Sequence, residues 1–521
     1  MKRFLTLLLP LLAGMLATAQ SGAEKRIPLD ALRDKIAGGW AGQMIGVSYG
    51  APTEFRSDGR INESVLPPWT PARVSNSLGQ DDLYVDMTFA AVLDKKGLDA
   101  TTEDFGNMFR DAKYRLWHAN LAGRRNLKRG IAAADSGLPR YNAHADDIDF
   151  QIESDFIGLM APGLYQSAID LGLRAGRVMN YGDGIYGGIF VSCMYSAAFF
   201  EKEPRQVVER GLACIPARSP YAMLISDVLQ WSRQYPDDWK KVWQLLEDKW
   251  DRDDLCPEGA LKPFNIDAKL NGGYIALGLL YGKGDFGRSI DIATRAGQDS
   301  DCNPASTGGI VGVILGYRAI PDKWKSGIDA IADKKFSFTD FSFRTIVISS
   351  YNRALALAKR NGATERDSVL VLPVHEPKPP KLEVWNAGKP VERIAVADAR
   401  WSWKGNWSTT PLKGRDVSAD ATERRTGEKG AEASVAFQGT GVVVVGPYLP
   451  DGGKLQVYLD GKADRILDVN SDDSNSRSGE SVWHAFGLSD GKHTVRLVVL
   501  GEPYADASGT AVAIDGLILY R

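Results

Sequence analysis

The hydrophobic period of this 521-residue chain changes near residue 370, and this change constrains its architecture more than any other feature. Upstream, apolar residues recur every three or four positions, as in the stripe Leu29, Leu32, Ile36, Trp40 and Met44. This is the period of a helix with one buried face, and strand-like alternation is scarce. We therefore predict an all-α domain over residues 25–370.

Downstream of that point the hydrophobic period drops to two. Alternating runs at 455–459, 493–499 and 511–514 are bounded by Asp-Gly pairs, which are typical turn signals. These features predict an antiparallel β-sandwich over residues 383–521. The proline-rich segment 371–382 indicates a semi-rigid linker, so the chain is expected to be multidomain.

The N-terminus and the charge balance limit where the protein acts and what it binds. Two basic residues, an apolar run and Ala17-Thr18-Ala19 predict a cleaved signal peptide over residues 1–19. No later apolar stretch reaches the roughly 18 residues of a membrane span, so we expect a secreted or periplasmic protein without membrane insertion. The 63 Lys+Arg against 65 Asp+Glu, without a basic block, exclude a nucleic-acid partner.

Two short acidic clusters, Asp81-Asp82 and Asp299 with Asp301, stand next to helical sequence. Brought together, they would place four carboxylates around one cavity, the arrangement that Mg²⁺, Ca²⁺ or Mn²⁺ requires. For each cluster alone, helix capping is the simpler explanation. Glycines spaced by four within 308–316 would let another helix approach closely.

The surrounding sequence resembles the ADP-ribosylglycohydrolase family over about residues 30–360. The resemblance lies in a glycine-rich segment leading to Gly-Ala-Pro-Thr-Glu-Phe at 50–55, in Gln-Asp-Asp at 80–82, and in Gln-Asp-Ser-Asp-Cys at 298–302. It implies an orthogonal helical bundle that hydrolyses a glycosidic bond. It also implies that the four aspartates hold one or two divalent ions, of which Mg²⁺ suits them best.

The chain departs from the family pattern where Gln80 and Cys302 replace threonines. The amide oxygen of Gln80 can still bind a metal, whereas a thiol suits a hard cation poorly. Cys302, Asn303 and the glycine-flanked Asp183 are candidates for substrate contact, although an ordinary turn is the favoured explanation of Asp183. The cysteines, Cys256 among them, are expected to be free and buried rather than disulfide-bonded.

Three acids are candidates for the catalytic acid or base. Glu54 aligns with the family's functional glutamate, and Glu153 and Asp155 lie in an apolar stretch where unpaired acids are costly. Capping of a helix that begins near Phe156 is the alternative for these two. His118 and His144 are expected to be surface or structural residues, because no metal-ligand spacing surrounds them.

The predicted export favours a secreted, metal-dependent glycoside hydrolase that acts on an extracellular glycan or glycoside. The C-terminal region resembles galactose-binding-like sandwiches of carbohydrate enzymes, and Trp401, Trp403 and Trp407 are candidates for stacking on sugar rings. Core packing is expected for at least one of these tryptophans. Two alternatives remain: an ADP-ribosyl hydrolase acting on modified protein, and a non-catalytic carbohydrate-binding protein with the same fold.

Overall fold

The structure is a computed structural model that describes residues 24–251, 254–412, 421–472, 475–505 and 507–521. From Leu29 to Arg360 its regular structure is helical. The predicted signal peptide, residues 1–19, lies outside the described residues. The helices are Leu29–Gly50 (α1), Asp81–Lys96 (α2), Thr102–Asp111 (α3), His118–Lys128 (α4), Asp149–Ile152 (α5), Asp155–Leu159 (α6), Tyr165–Gly176 (α7), Asp183–Ala198 (α8), Pro204–Leu212 (α9), Pro220–Gln234 (α10), Trp239–Trp250 (α11), Ala268–Gly282 (α12), Phe286–Arg295 (α13), Cys302–Leu315 (α14), Asp322–Lys325 (α15) and Phe343–Arg360 (α16). The helical prediction for this region is confirmed.

The central contact of the helical part joins α1 to α14. A side chain at Gly42 would lie 2.1 Å from the carbonyl oxygen of Gly308, and one at Gly38 would lie 2.2 Å from that of Gly312. Only glycine permits so close an approach, as the glycine spacing predicts. Gly316 has a different role, because it follows the last residue of α14 with φ of 81° and ends the helix.

Strands flank the helical part and fill the C-terminal region. They are Glu24–Pro28 (β1), Thr364–Arg366 (β2), Val369–Pro373 (β3), Pro390–Ala395 (β4), Trp401–Lys404 (β5), Ser408–Pro411 (β6), Thr422–Thr426 (β7), Glu432–Tyr448 (β8), Gly453–Leu459 (β9), Lys462–Asp468 (β10), Arg477–Pro503 (β11), Val512–Ile514 (β12) and Gly516–Tyr520 (β13). β1 pairs with β3, opposing Ile27 to Leu370, and so ties the two ends of the helical part together. The predicted linker therefore begins after β3 rather than at residue 371, because the buried Leu372 belongs to this small sheet.

The C-terminal strands form two antiparallel sheets. The larger has the order β10-β9-β11-β8-β13-β4, with β5 also paired to β8, and the smaller has the order β12-β7-β6. Buried residues such as Val435, Phe437 and Leu497 alternate with more exposed neighbours, whereas the end of β8, residues 441–448, is buried throughout. The antiparallel prediction is confirmed, and the packing of the sheets as a sandwich stays a prediction.

The two parts of the chain are joined by a polar contact. The guanidinium of Arg129 donates to both carboxylate oxygens of Asp468, at 2.6 and 2.7 Å. Arg393 donates to the backbone oxygens of Ala260 and Pro257, at 2.7 and 2.6 Å. Within the described residues, none of the helices is both long and apolar enough to cross a membrane.

Candidate active site

The two acidic clusters meet at the N-terminal ends of α2 and α14. The thiol of Cys302 donates to Oδ1 of Asp82 at 3.1 Å, and the backbone N–H of Cys302 donates to Oδ1 of Asp301 at 3.0 Å. Asp81 and Asp82 form the first turn of α2 rather than preceding it, with the extended Gln80 as the capping position. The carboxylates thus face the positive ends of two helices, which favours negative charge there.

Burial disfavours the ionised forms of the aspartates in this cluster. Desolvation raises the pKa of Asp82, and the nearby charges of Asp301 and Asp81 raise it further. Desolvation, followed by the charge of Asp301, raises the pKa of Asp299 well above its usual range, while the pKa of Asp301 rises to about 6, mainly through desolvation. Buried carboxylates that repel one another are stabilised by a cation between them.

The donor atoms fit a divalent cation. Among the described residues, Oδ2 of Asp82 and Oδ1 of Asp299 are buried without a hydrogen-bond partner. Ligand atoms of Asp299, Asp301 and Cys302 lie within 4.8 Å of one another. Hard cations take carboxylate oxygens, so the aspartates fit and the Cys302 sulfur does not. The assignment of Asp81, Asp82, Asp299 and Asp301 as metal ligands stays a prediction.

A cavity of about 840 Å³ opens above the acidic cluster, between the helical and the β-sheet parts. Asp81, Asp299 and Cys302 line it from the helical side, and Arg393 and Asp515 line it from the β-sheet side. Its volume is in the range of sites that enclose small molecules. The β-sheet region is therefore part of the site's wall and is not only an appended module.

Glu54 and Gln80 also line this cavity. Glu54 follows the short 3-10 helix Ala51–Thr53 and is exposed. Its negative charge contributes to the raised pKa of Asp299, after desolvation and Asp301, which places the two carboxylates near each other. A substrate in the cavity can reach Glu54 directly.

Glu153 and Asp155 lie behind the cavity and are not among its described lining residues. Glu153 accepts a hydrogen bond from the side chain of Asn120, and Asp155 accepts from Gln43 and Tyr195, both at 2.7 Å. Desolvation raises the pKa of both acids well above the usual range. The structure thus separates the three catalytic candidates, with Glu54 at the cavity and the other two held in the interior.

Two of the three substrate-contact candidates also lie away from the cavity. Asp183 begins α8 and accepts from the backbone N–H of Tyr221 at 3.1 Å. The Asn303 side chain donates to Oδ1 of Asn271 at 2.9 Å. Both side chains therefore join helices, and Cys302 alone of the three lines the cavity.

The three tryptophan candidates form one aromatic cluster on the β-sheet region. Trp401 is 7% exposed and lies parallel to Trp403, with ring centroids 5.1 Å apart. Trp407 meets Trp403 edge-on at 4.9 Å and lines a shallow groove with Arg425 and Glu428. Core packing of at least one tryptophan is confirmed by Trp401, whereas Trp407 is placed where a ligand can reach it.

Sequence reasoning missed Asp149, which lines the cavity at the start of α5. Its carboxylate accepts the backbone N–H groups of Ala119 and Asn120, at 3.2 and 3.1 Å. Desolvation raises the pKa of Asp149 to about 6 despite these bonds. The sequence contained a signal for Asp149, because this acid stands beside an apolar run. The same criterion selected Glu153.

The two histidines, expected to be surface or structural residues, lie in one group of potential metal ligands. His118 and His144 are near each other, with ring centroids 5.8 Å apart, and ligand atoms of both lie within 4.8 Å of those of Asp147 and Cys256. The spacing of these four residues in the sequence did not indicate a metal site, because they come from three separate segments. All four cysteines are free and buried, as predicted.

Comparison with known protein families matches the helical part of the chain. The sequence profile described as ADP-ribosylglycohydrolase matches residues 28–350. No curated protein matches the sequence. Among solved structures, the chain is similar to an ADP-ribosylglycohydrolase-related protein complex, with 17% identity, a TM-score of 0.39, and coverage of 62% of this chain and 99% of that chain.

Two further solved structures are similar to smaller parts of the chain. A family two carbohydrate esterase from Cellvibrio japonicus shows 15% identity and a TM-score of 0.18, covering 25% of this chain and 32% of that one. The CBM36-1 domain of a multidomain xylanase from the hindgut metagenome of Trinervitermes trinervoides shows 12% identity and a TM-score of 0.16, covering 23% of this chain and 94% of that one. These similarities are too low to assign an activity.

Proposed function

Since the chain belongs to the ADP-ribosylglycohydrolase family, and is therefore a hydrolase, we propose that it is an exported, divalent-cation-dependent glycoside hydrolase. The observation that carries the proposal is the contact between Cys302 and Asp82, because it brings both acidic clusters to the floor of one cavity. Carboxylates concentrated in a cavity of this size suit chemistry on a small polar substrate.

In this proposal Asp81, Asp82, Asp299 and Asp301 hold the cation. When bound, a divalent cation orients water and substrate hydroxyls and stabilises negative charge. Cys302 contributes no ligand, since its sulfur is a poor donor for Mg²⁺. Its thiol instead donates to Asp82 and fixes the orientation of that carboxylate.

Glu54 is the residue we assign to proton transfer at the glycosidic oxygen or at the attacking water. Glycoside hydrolysis requires a carboxyl group that reaches the scissile bond, and Glu54 is the exposed one of the three candidates. Asp149 faces the same cavity and accepts hydrogen bonds, which suits a sugar hydroxyl. Phe55 and Phe264, with ring centroids 5.1 Å apart, supply an apolar face on which a sugar ring can stack.

The charge of the cavity favours a neutral glycan over ADP-ribose. Of the described residues that line the cavity, two are cationic, Lys262 and Arg393, and the guanidinium of Arg393 is bound to backbone oxygens. Six are acidic: Glu54, Asp81, Asp149, Glu258, Asp299 and Asp515. With Asp81 and Asp299 neutralised by the cation, four acids still outnumber the two cationic residues, so the lining offers few partners to a pyrophosphate, whereas sugar hydroxyls find hydrogen-bond acceptors.

We assign carbohydrate binding by the β-sheet region to the groove beside Trp407. A half-exposed indole next to Arg425 and Glu428 offers the combination of a stacking face and polar groups that sugars use. This groove and the catalytic cavity have no described lining residue in common. The groove would retain a polymer while the cavity acts on it.

The test is a substrate panel of furanosides, pyranosides and an ADP-ribosylated peptide, with and without chelator. We expect the protein to release sugar. Chelator should abolish this activity, and Mg²⁺, Ca²⁺ or Mn²⁺ should restore it. Asp299→Asn should also abolish the activity, whereas Asp333→Asn, at an exposed residue, should not. Chelator-resistant sugar release would contradict the cation site. Release of ADP-ribose alone would support the ADP-ribosyl alternative, and glycan binding without turnover that survives Asp81→Ala and Asp299→Ala would support the binding-protein alternative.

Export is tested separately on the full-length chain expressed in a Gram-negative host. N-terminal sequencing of protein from the periplasm or medium should begin after residue 19. Recovery of only the intact N-terminus in the cytoplasmic fraction would contradict export. That outcome would leave the cation site and the hydrolase activity unaffected.

A further inference from the structure

Four potential metal ligands of a different chemical kind lie beside the cavity. His118 begins α4, His144 and Asp147 lie on the segment before α5, and Cys256 lies on the segment between α11 and α12. Nδ1 of His144 is 2.8 Å from Oδ2 of Asp147 and 3.3 Å from Sγ of Cys256. Nδ1 of His118 is 3.8 Å from the same Asp147 oxygen. One ligand atom from each residue falls within 4.8 Å of all the others.

Two buried polar atoms in this group lack partners. Oδ1 of Asp147 and Nε2 of His144 have no hydrogen bond within the part of the chain that the structure describes. The Asp147 side chain is 0% exposed, and the His144 side chain is 3% exposed. A buried carboxylate is costly unless it is paired or coordinates a metal. Oδ1 of Asp147 is therefore open to a cation at the cluster, whereas Nε2 of His144 lies on the ring edge opposite Nδ1 and faces Glu480.

The donor set identifies the class of cation. Imidazole nitrogen and thiolate sulfur suit zinc and similar transition metals, whereas Mg²⁺ and Ca²⁺ prefer oxygen ligands. Ligand atoms around a tetrahedral zinc stand about 3.3–3.8 Å apart, given its bond lengths of about 2.0–2.3 Å. We propose that His118, His144, Asp147 and Cys256 bind one zinc ion at a site distinct from the acidic cluster. Binding requires the Cys256 thiolate, so its proton is released to solvent.

The geometry gives this site a structural role. Four protein ligands complete a tetrahedral zinc, which is the pattern of structural sites rather than catalytic ones. The ion would join the start of α4 to the two other segments, and His118 has a φ of 43°, an unfavourable conformation that such a bond would hold in place. Because His118 lines the cavity, the zinc would fix that part of its wall.

Two further carboxylates, those of Glu258 and Glu480, lie next to the histidines of the cluster. Oε2 of Glu258 lies 3.5 Å from Nδ1 of His118, and Oε2 of Glu480, from β11, lies 4.0 Å from Nε2 of His144. Glu480 faces the ring nitrogen of His144 opposite its Nδ1, as the carboxylates that orient metal-bound imidazoles do. Glu258 instead lies beside the Nδ1 of His118 that also faces Asp147, and it adds negative charge there. Glu480 would therefore connect the zinc site to the β-sheet region.

The experiment measures zinc in the purified full-length protein after dialysis against metal-free buffer. We expect one zinc per chain by mass spectrometry of the metals, and more than about 100-fold weaker zinc binding in Cys256→Ser. Cys193→Ser is the matched control, because that thiol is equally buried and lies outside the cluster. Less than stoichiometric zinc even after zinc addition, or unchanged binding in Cys256→Ser, would overturn the proposal.

Two further measurements keep the result interpretable. If Cys256→Ser does not fold, the half-buried His118→Gln should fold and bind zinc at least about 100-fold more weakly. Cobalt substitution should give a thiolate-to-cobalt charge-transfer band that Asp299→Asn retains and Cys256→Ser loses. Loss of the band in Asp299→Asn would place the transition metal in the acidic cluster and overturn the assignment. These measurements can therefore refute the zinc site without refuting the proposed hydrolase activity, and the reverse.

Discussion

The thiol of Cys302 lies 3.1 Å from Oδ1 of Asp82, although 220 positions separate the two residues in sequence. The contact joins the N-terminal ends of α2 and α14, where the acidic clusters meet. It also places sulfur at a position where a hydroxyl oxygen would be a better partner for a hard cation. The effect of this sulfur on the affinity for Mg²⁺ can be measured by replacing Cys302 with serine.

Cys302→Ser is expected to tighten Mg²⁺ binding about three- to tenfold. The hydroxyl is a harder donor than the thiol, and one added hydrogen bond or ligand contact is worth about 1 kcal/mol. Isothermal titration calorimetry on chelator-treated protein measures the change. Cys193→Ser, which removes a buried thiol elsewhere, should leave the affinity as it was, and equal or weaker binding in Cys302→Ser would contradict the expectation.

Glu54→Gln should lower kcat on the glycoside substrate by about 10²–10⁴-fold, the usual contribution of a general acid or base. Glu54 is exposed, so the free energy of unfolding should change by less than about 0.5 kcal/mol. Divalent-cation binding should persist. Glu63→Gln, in the same segment before α2, is the control and should keep full activity.

Glu153 provides the contrast to Glu54. It is buried, and its carboxyl group accepts from Asn120, so Glu153→Ala should lower the free energy of unfolding by about 1–3 kcal/mol because Asn120 loses its partner. Denaturant unfolding and kinetics, measured on both variants, separate the two roles. A folded, stable Glu153→Ala protein without activity would move the catalytic assignment from Glu54 to Glu153.

Much of the helical architecture could be predicted from the sequence because its signals are local. The apolar stripe of α1 repeats within one helix, and the glycine spacing of α14 shows directly where a neighbouring backbone approaches. The convergence of Asp82 with Asp301 came instead from the resemblance to a family. Neither carboxylate differs in its local sequence from an ordinary helix cap.

The wall of the cavity and the histidine cluster could not be predicted, because they depend on docking between distant segments. Nothing near His118 in sequence indicates that Cys256 will lie beside it. The criterion of an acid in an apolar stretch correctly found buried carboxylates at Glu153 and Asp155. It could not tell that partners from other helices, such as Tyr195, would hold them away from the cavity.

Arg129→Ala should detach the β-sheet region from the helical part. Arg129 binds both oxygens of the largely buried Asp468, which also lies 3.5 Å from Arg125. Because Arg125 keeps part of the pairing, the loss should fall below the about 3–5 kcal/mol of an uncompensated buried charge. Because Arg393 and Asp515 line the cavity from the β-sheet side, kcat/KM should fall while cation binding persists. Limited proteolysis of the segment 374–389 should become faster.

The control for that prediction is Arg400→Ala. Arg400 also forms a bidentate pair, with Glu392, but the pair is more exposed and lies within the β-sheet region. Exposed pairs contribute about 0–1 kcal/mol, so proteolysis and kinetics should match those of the unmodified protein. Equal effects of the two substitutions would show that the contact of Arg129 does not hold the parts together.

Trp407→Ala should weaken binding to insoluble polysaccharide about fivefold, since one aromatic stacking contact is worth about 1 kcal/mol. Turnover of a small soluble glycoside should not change, because Trp407 lies outside the cavity. Pull-down assays and kinetics measure the two properties. Tyr458→Ala, a half-buried aromatic residue on β9, is the control, and equal losses in both variants would contradict a sugar-binding groove.

The pH dependence of stability should contain a contribution from Glu247 on α11. Burial, followed by the charge of Asp251, raises the pKa of Glu247 to about 8, although the hydroxyl of Tyr274 donates to it. The folded state then keeps a proton that the unfolded state releases above about pH 4.3. The stabilisation is fully present below that pH and is lost as the pH rises towards 8, by up to about 1.4 kcal/mol per pH unit.

Glu247→Gln should remove this contribution, because a neutral amide replaces the titrating group. Denaturant unfolding between pH 5 and pH 8, on chelator-treated protein, should show a shallower loss of stability in the variant by up to about 1.4 kcal/mol per pH unit. Glu365→Gln, on the exposed strand β2, should keep the slope of the unmodified protein. Acids remote from Glu247 titrate alike in all three proteins, so the difference in slope reports Glu247 together with its neighbours Asp251 and Asp248. An unchanged slope would mean that the Glu247 carboxylate is already ionised at pH 5.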